Sequence, residues 1–318
     1  MKTKLTRLSV RIISLILMTA LMVIICSGCW SRVEIEKMSF ISVVGVDRAG
    51  SELLVSFQFV NPSALARDGG TGGGGGEPPV FVLSVKERSL SDALAKISQE
   101  SPRAVRFKQL DAIILGESLG KEGISHVMDF FARHWEMRRS IWIMVAKGSA
   151  QEILLKGAPV QENVPGMAIK MLMDRRDRLA PTHYPIKLGD FLNGMSMEGT
   201  DAIASAVSVR PMQEKKVAES VKDKEEDDKK VAAEKKEIVF EGAGVFRGDK
   251  LVDYLGPHET RGVRWVLGKI QGGIYTVPTP SQGTLASLVT QRSSVRIKPV
   301  IAKDNITFQI KIYDEGYV

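Results

Sequence analysis

The chain has 318 residues, a formal net charge of +7 and two cysteines. This length favours two or three domains over one. Part of the positive charge is a targeting signal, because four cations precede residue 12 without any acidic residue and the remaining chain carries only +3. The charge is therefore no argument for nucleic-acid binding.

The amino terminus has the layout of a signal peptide. Residues 2–11 contain the four cations, and residues 12–25 are almost wholly apolar. As a helix, this 14-residue run would extend about 21 Å, which is short of the roughly 30 Å hydrocarbon core of a bilayer. We therefore predict that residues 1–28 direct export and are then removed.

Cys29 is the predicted first residue of the mature chain and its site of lipid attachment. Small residues, Ser27 and Gly28, precede it, as a signal peptidase that cuts between Gly28 and a lipid-modified cysteine requires, although Cys26 stands where Leu is usual. Two or three acyl chains anchor a protein stably. The alternative is a retained amino-terminal anchor with an ordinary cysteine. If Cys26 leaves and Cys29 carries lipid, no thiol remains for a disulfide, a nucleophile or a metal.

Strand and helix patterns alternate through the first half of the chain, which predicts a mixed sheet with packed helices. A hairpin of strands at 41–47 and 53–60 should turn at 48–51. The further predicted elements are a strand at 81–85, a helix capped by Ser89, a β segment at 104–115, an amphipathic helix at 119–133, a strand at 141–146 and a helix at 149–156.

The second half is less regular. We predict helices at 164–179 and 188–195, strands at 203–210 and 238–246, a helix at 257–267, and a final strand pair at 294–301 and 305–313 that turns at 303–304. Residues 214–237 hold eight lysines and nine acidic residues, so this nearly neutral run is expected to be a solvated helix or a disordered insert.

Three blocks of residues resemble the Ger(x)C family, the C subunits of nutrient germinant receptors in endospore-forming bacteria. They are Gly28-Cys29-Trp30-Ser31-Arg32-Val33-Glu34-Ile35 with Gly45-Val46-Asp47, then residues 133–139 through 145–154, and then residues 242–252 through 259–273. The family usually has Cys-Trp-Asp at the first block, and Ser31 departs from that pattern. The resemblance spans residues 28–313 in the family's order.

The resemblance implies an α+β lipoprotein of three domains, built of mixed β-sheets packed with helices. It implies a location on the extracytoplasmic face of the spore's inner membrane, with the receptor's A and B subunits as partners and no enzymatic activity, cofactor, metal or nucleic acid. The expected division is a signal peptide at 1–28, an α+β domain at 29–198, a second at 199–278 that contains the insert 214–237, and a partial third at 279–318. The third is expected to be partial because family members usually continue beyond residue 313.

Arg133, Arg138 and Arg139 form the candidate interaction surface. Clustered guanidinium groups can bind carboxylates of a ligand or partner through paired hydrogen bonds. The alternative is a structural network of salt bridges with Glu136 and Glu152.

Motifs of other functional classes are incomplete. The hydrolase patterns Gly-x-Ser-x-Gly and His-Glu-x-x-His are missing, and Ser118-x-x-Lys121 lacks the companion motifs of penicillin-binding enzymes. The four histidines have no paired spacing for a metal. The alternative function is a solute-binding lipoprotein that presents a nutrient to a permease, which would require two α/β lobes.

Overall fold

A computed structural model describes residues 11–22, 34, 37–61, 79–158, 164–174, 182–211, 236–270, 272–279, 284–302 and 305–317. The chain divides into two compact units, Met1–Met38 and Ser39–Val318. In the first unit, residues 11–22 form a helix. Within the ranges given above, no helix combines the length and apolar content needed to cross a membrane.

The second unit is an α+β fold, as the resemblance implies. Its strands are β1 (Met38–Ala49), β2 (Glu52–Val60), β3 (Val80–Glu87), β4 (Ala104–Arg106), β5 (Ala112–Leu115), β6 (Trp142–Ala146), β7 (Gly157–Ala158), β8 (Ile186–Lys187), β9 (Ile203–Pro211), β10 (Lys236–Arg247), β11 (Lys250–Leu255), β12 (Gly273–Pro278), β13 (Leu285–Ile301) and β14 (Ile306–Tyr317). Its helices are α1 (Leu90–Glu100), α2 (Glu117–Glu122), α3 (Ser125–Arg133), α4 (Ala150–Lys156), α5 (Pro165–Asp174), α6 (Leu188–Ser196) and α7 (Pro257–Val266).

One large mixed sheet dominates the unit. Its strands follow the order β11-β10-β9-β6-β5-β1-β2-β3, and β4, β7 and β8 pair beside this path. The central strands β1, β5, β6 and β9 run parallel, whereas β1 and β2 form the predicted antiparallel hairpin. A mixed sheet with helices was predicted from the alternating patterns, and that prediction is confirmed.

Both faces of the sheet are covered, which explains why its central strands are continuously apolar. Alternate residues of β5 and β6, such as Ile113 and Val145, contribute to a core that includes α1, α2, α3 and α6. Their neighbours, such as Ile114 and Met144, contribute to a second core under α4 and α5. The period-two alternation of a strand therefore divides each run of apolar residues between two cores.

A second sheet of order β12-β13-β14 lies at the carboxyl-terminal end of the chain. The predicted strand pair is present but longer than expected, and β12 was missed. Helix α7 packs on it through Trp265, whose ring centroid lies 4.3 Å from that of Tyr275. The predicted turn at 303–304 lies outside the described residues.

Two predicted elements are divided. The helix expected at 119–133 breaks at Gly123, whose φ of 136° a side chain would disfavour. Ile124 then donates its backbone N–H to the Asp249 carbonyl at 3.0 Å, so a tertiary contact takes the place of a helical bond. The β segment expected at 104–115 is likewise two strands, because Phe107 and Leu110 turn into the core.

The strand pairings do not test the predicted division into three domains, because strands pair across both expected boundaries. Strand β9, after the expected boundary at 198, pairs with β6 from before it. Strand β12, before the expected boundary at 278, pairs with β13. Most of the insert at 214–237 lies outside the described residues, and only its last two residues belong to β10. The three-domain division therefore stays a prediction.

Candidate functional site

The residues predicted to carry the lipid, Gly28 and Cys29, lie outside the described part of the chain. The candidate site that the structure does describe is the surface around the three predicted arginines. Arg133 ends α3, and Arg138 and Arg139 lie in the loop that leads from α3 into β6.

The three arginines do not form the alternative salt-bridge network. The Arg133 Nε donates to Asp129 Oδ1 at 2.6 Å along its own helix, and its side chain is 80% exposed. Arg138 makes one long hydrogen bond, from Nη2 to the Leu110 carbonyl at 3.4 Å. Arg139 is exposed. The alternative pairing with Glu136 and Glu152 therefore does not occur among the described residues.

Glu136 has a different function, which is to fix the shape of this loop. Its carboxylate is buried and accepts a hydrogen bond from the Phe107 backbone N–H at 2.8 Å. The Arg106 guanidinium lies 3.6 Å from the other carboxylate oxygen. A buried charge needs such partners. The loop after α3 is thereby held against the loop before β5.

Glu152 lies elsewhere, on α4. It accepts a hydrogen bond from Lys236 Nζ at 2.7 Å, and this bond lowers the pKa of Glu152. The pair connects α4 to the start of β10.

The register of the parallel strands gathers these loops at one end of the sheet. Val43 of β1 lies beside Ala112 of β5, which lies beside Trp142 of β6. The segments that lead into β5 and β6 therefore lie together, beside Val43 within β1. Lys187 of β8 reaches the same end, because it pairs with Trp142 and its Nζ lies 5.1 Å from the indole centroid.

We name this the amino-end surface and define it as Lys108, Trp135, Arg138, Arg139 and Lys187. Within the described ranges, none of its four cations forms an ion pair. The nearby Asp111 carboxylate lies 3.4 Å from Lys170 and also attracts Arg138, while burial raises the pKa of Asp111. The surface therefore carries a net positive charge that no close ion pair neutralises.

Trp135 is the most exposed aromatic residue of this surface. Its side chain is 75% exposed, and its ring stacks on His134 at 6.2 Å between centroids. Trp135, Lys108 and Lys187 were not predicted as members of a functional surface. A tryptophan in a polar segment, Arg-His-Trp-Glu, was the available signal for the first; the two lysines join the surface only through the sheet register.

The other motifs considered from sequence have structural surroundings. Lys121 pairs with Glu117 at 2.6 Å, so its spacing from Ser118 reflects one helix turn. Among the residues that the structure describes, no group of three or more potential metal ligands occurs.

His183 is half-buried beside Arg264, and its lowered pKa predicts that the stability of the fold depends on pH. Burial first, and the Arg264 charge second, lower the pKa of His183 to about 4 from an ordinary value near 6.5. The unfolded chain thus takes up a proton near pH 6.5 that the folded chain excludes until about pH 4. Stability should fall as the pH drops through this window.

The His183→Gln variant tests this dependence. Its unfolded state has no imidazole to protonate at residue 183, so it should lose less stability than the parent between these two pH values. Urea unfolding at a series of pH values measures the difference. Parallel curves for parent and variant would contradict the prediction.

Two family models match the chain. "Spore germination protein N-terminal domain" covers residues 31–209, and "Spore germination B3/GerAC like, C-terminal" covers residues 241–318. Spore germination protein B3 of Bacillus subtilis (strain 168) is 25% identical over 300 residues, which are 93% of this chain and 71% of that protein. Spore germination protein KC of the same organism is 24% identical over 302 residues, 94% of this chain and 72% of the relative.

Among solved structures, the crystal structure of the GerBC protein matches with a TM-score of 0.44 and 22% sequence identity. The match covers 86% of this chain and 70% of that one.

Proposed function

Because the chain belongs to the Ger(x)C family of spore germination proteins, we propose that it is the membrane-anchored lipoprotein subunit of a spore germinant receptor. The observation that carries this proposal is the match of both family models, in order, over residues 31–209 and 241–318. A chance likeness in one domain would not reproduce both.

Anchoring through Cys29 is supported by the sequence of the amino terminus. The apolar run at 12–25 is too short for a helix to cross the hydrocarbon core of a bilayer, and small residues precede the cysteine. Diacylglyceryl attachment supplies the two chains that stable anchoring needs. We therefore infer a location on the extracytoplasmic face of the spore's inner membrane.

The subunit acts by tethering and protein contact, with the receptor's A and B subunits as partners. It is not an enzyme. In support, two of the four histidines have aromatic neighbours: His134 packs on Phe107, and His183 lies beside Phe240.

The alternative, a solute-binding lipoprotein, would need two α/β lobes that enclose a cleft. In the described part of residues 39–255, the strands join one continuous sheet. No observation therefore favours the alternative over a receptor subunit.

Replacing Cys29 by Ala tests the proposal in spores whose germination depends on this receptor. We expect the variant to lose the lipid label and signal processing, and we expect the rate of nutrient-triggered germination to fall. The two readouts are incorporation of labelled lipid into the immunoprecipitated chain and the loss of optical density on nutrient addition.

The Cys26→Ala variant is the matched control, because Cys26 belongs to the proposed signal peptide at 1–28 and would be absent from the mature chain. It should be labelled and should germinate like the parent. Normal labelling and normal germination of Cys29→Ala would show that Cys29 is not the anchor.

A further inference from the structure

We propose that the amino-end surface docks on anionic lipid headgroups of the membrane that holds the chain. Docking would orient the large sheet with the amino-terminal ends of β1, β5 and β6 towards the bilayer. This proposal rests on the proposed function, because it requires the chain to be anchored at that membrane.

Charge is the first argument. Lys108, Arg138, Arg139 and Lys187 carry four positive charges that no carboxylate of the described residues pairs within 4.0 Å. A lysine or arginine near an anionic membrane surface favours binding by about fivefold. Guanidinium groups also match phosphate oxygens with two parallel hydrogen bonds.

Trp135 is the second argument. A tryptophan has an apolar body and one polar N–H, and such rings concentrate at the headgroup level of bilayers. The Trp135 side chain is 75% exposed although it lies between a half-buried histidine and the buried Glu136. The Glu136 carboxylate accepts the Phe107 N–H at 2.8 Å and so holds this loop in place. The indole of Trp135, the preceding residue, therefore faces solvent and is not packed in the core.

The path of the chain is the third argument. Strand β1 begins at the same end of the sheet as the amino-end surface, since Asp111 donates its N–H to the Ser42 carbonyl at 2.9 Å. Nine residues lie between Cys29 and Ser39, and the ten Cα–Cα steps from one to the other reach at most about 35 Å when fully extended. A lipid at Cys29 therefore keeps this end of the sheet within reach of the headgroups.

The opposite end of the parallel strands has a different character. Two of its cations, Arg48 and Lys121, are paired with Glu122 at 2.8 Å and Glu117 at 2.6 Å. These two ion pairs carry no net charge, so they do not attract an anionic membrane. The difference between the two ends favours one orientation of the sheet.

The acidic face of a protein partner could also attract these cations. The exposed indole beside the cations favours the membrane, because an aromatic residue and basic residues together match the bilayer interface. The experiment separates the two.

The full chain is reconstituted in vesicles of phosphatidylcholine alone, or with about one-third phosphatidylglycerol to supply the anionic surface. The readout is quenching of tryptophan emission by a lipid with a nitroxide on its headgroup. The difference between the parent and Trp135→Phe reports on Trp135 alone. Vesicle flotation reports separately whether the chain is attached.

We expect Trp135 to be quenched in the anionic vesicles and not in the neutral ones. About 1 M salt should abolish the quenching, since the Debye length is then about 3 Å. The double variant Arg138→Gln/Arg139→Gln removes two charges and should lower the ratio of docked to undocked chain by about 25-fold. Flotation should be unchanged in every case.

The control is the double variant Lys86→Gln/Arg88→Gln. It removes two exposed cations at the carboxyl-terminal end of β3. Lys86 pairs with Leu54 of β2, and Leu54 pairs with Asp47 of β1, so these cations lie at the opposite end of the sheet from the amino-end surface. It should leave Trp135 quenching unchanged. Thermal unfolding confirms that both double variants fold.

Each result bears on a distinct statement. Flotation with unquenched Trp135 in anionic vesicles would overturn headgroup docking and leave anchoring intact. If germination then falls in Arg138→Gln/Arg139→Gln spores, the surface binds a protein partner instead. Failure to float in either vesicle would overturn the proposed anchoring, and this inference with it.

Discussion

Replacing Asp47 by Ala should lower the free energy of unfolding by about 3 kcal/mol. The Asp47 carboxylate is 5% exposed and caps α4 from a strand far away in sequence. It accepts the backbone N–H groups of Ala150 at 2.7 Å and Gln151 at 2.8 Å, and the Ser149 hydroxyl at 3.0 Å. Alanine would leave the buried Ala150 N–H and two part-buried donors without this acceptor, and it would remove a negative charge from a helix amino terminus.

Urea unfolding followed by circular dichroism measures the loss. Asp47→Asn keeps one amide oxygen as an acceptor, so its loss should be smaller. Asp201→Ala is the control, because Asp201 is exposed and its replacement should change stability by no more than about 0.5 kcal/mol. Equal stability of Asp47→Ala and Asp201→Ala would show that the cap does not stabilise the fold.

Replacing Gly242 by Ala should cost about 3 kcal/mol or more, and the variant should accumulate poorly. Gly242 has a φ of 83°, and a Cβ atom there would lie 2.2 Å from the Leu255 carbonyl oxygen. Its N–H donates to the Thr182 carbonyl at 2.7 Å, so the backbone is held in place. The irregularity between Phe240 and Ala243 in the pairing of β10 with β9 puts Gly242 at a bulge, where a glycine of positive φ is common.

Gly248→Ala is a matched control for the backbone angle. Gly248 has a φ of 60°, but a Cβ atom would meet nothing within 4 Å. Its replacement should therefore cost only the backbone strain, about 1 kcal/mol. Soluble yield and urea midpoint of the two variants separate strain from collision. Equal losses would contradict the steric account of Gly242.

Local signals predicted much of the fold. Ser89 and Ser149 were expected to begin helices, and their hydroxyls accept the N–H groups of Asp92 at 3.1 Å and Glu152 at 3.4 Å. A cap and a periodic apolar pattern act over a few residues, so sequence alone contains them. The chain path at Gly123 could not be predicted from sequence. It depends on the hydrogen bond from the Ile124 N–H to the carbonyl of Asp249, a residue far away in sequence.

The candidate site was predicted only in part. Arg138 and Arg139 are exposed, but nothing in the sequence indicated whether Glu136 would pair with them. Its carboxylate instead faces Phe107, because two loops meet where parallel strands begin. A salt-bridge partner chosen by nearness in sequence was therefore wrong.

The sequence by itself determined the family and most helices and strands, and it contains the motifs on which the proposed export signal and lipid site rest, since all of these depend on short motifs and hydrophobic periodicity. Only the tertiary structure decided that Asp47 caps α4 and that Lys108, Arg138 and Lys187 share one surface. Those contacts follow from the order and register of strands that are distant in the chain. Local patterns do not specify which strands become neighbours, because that choice minimises the free energy of the whole packed sheet.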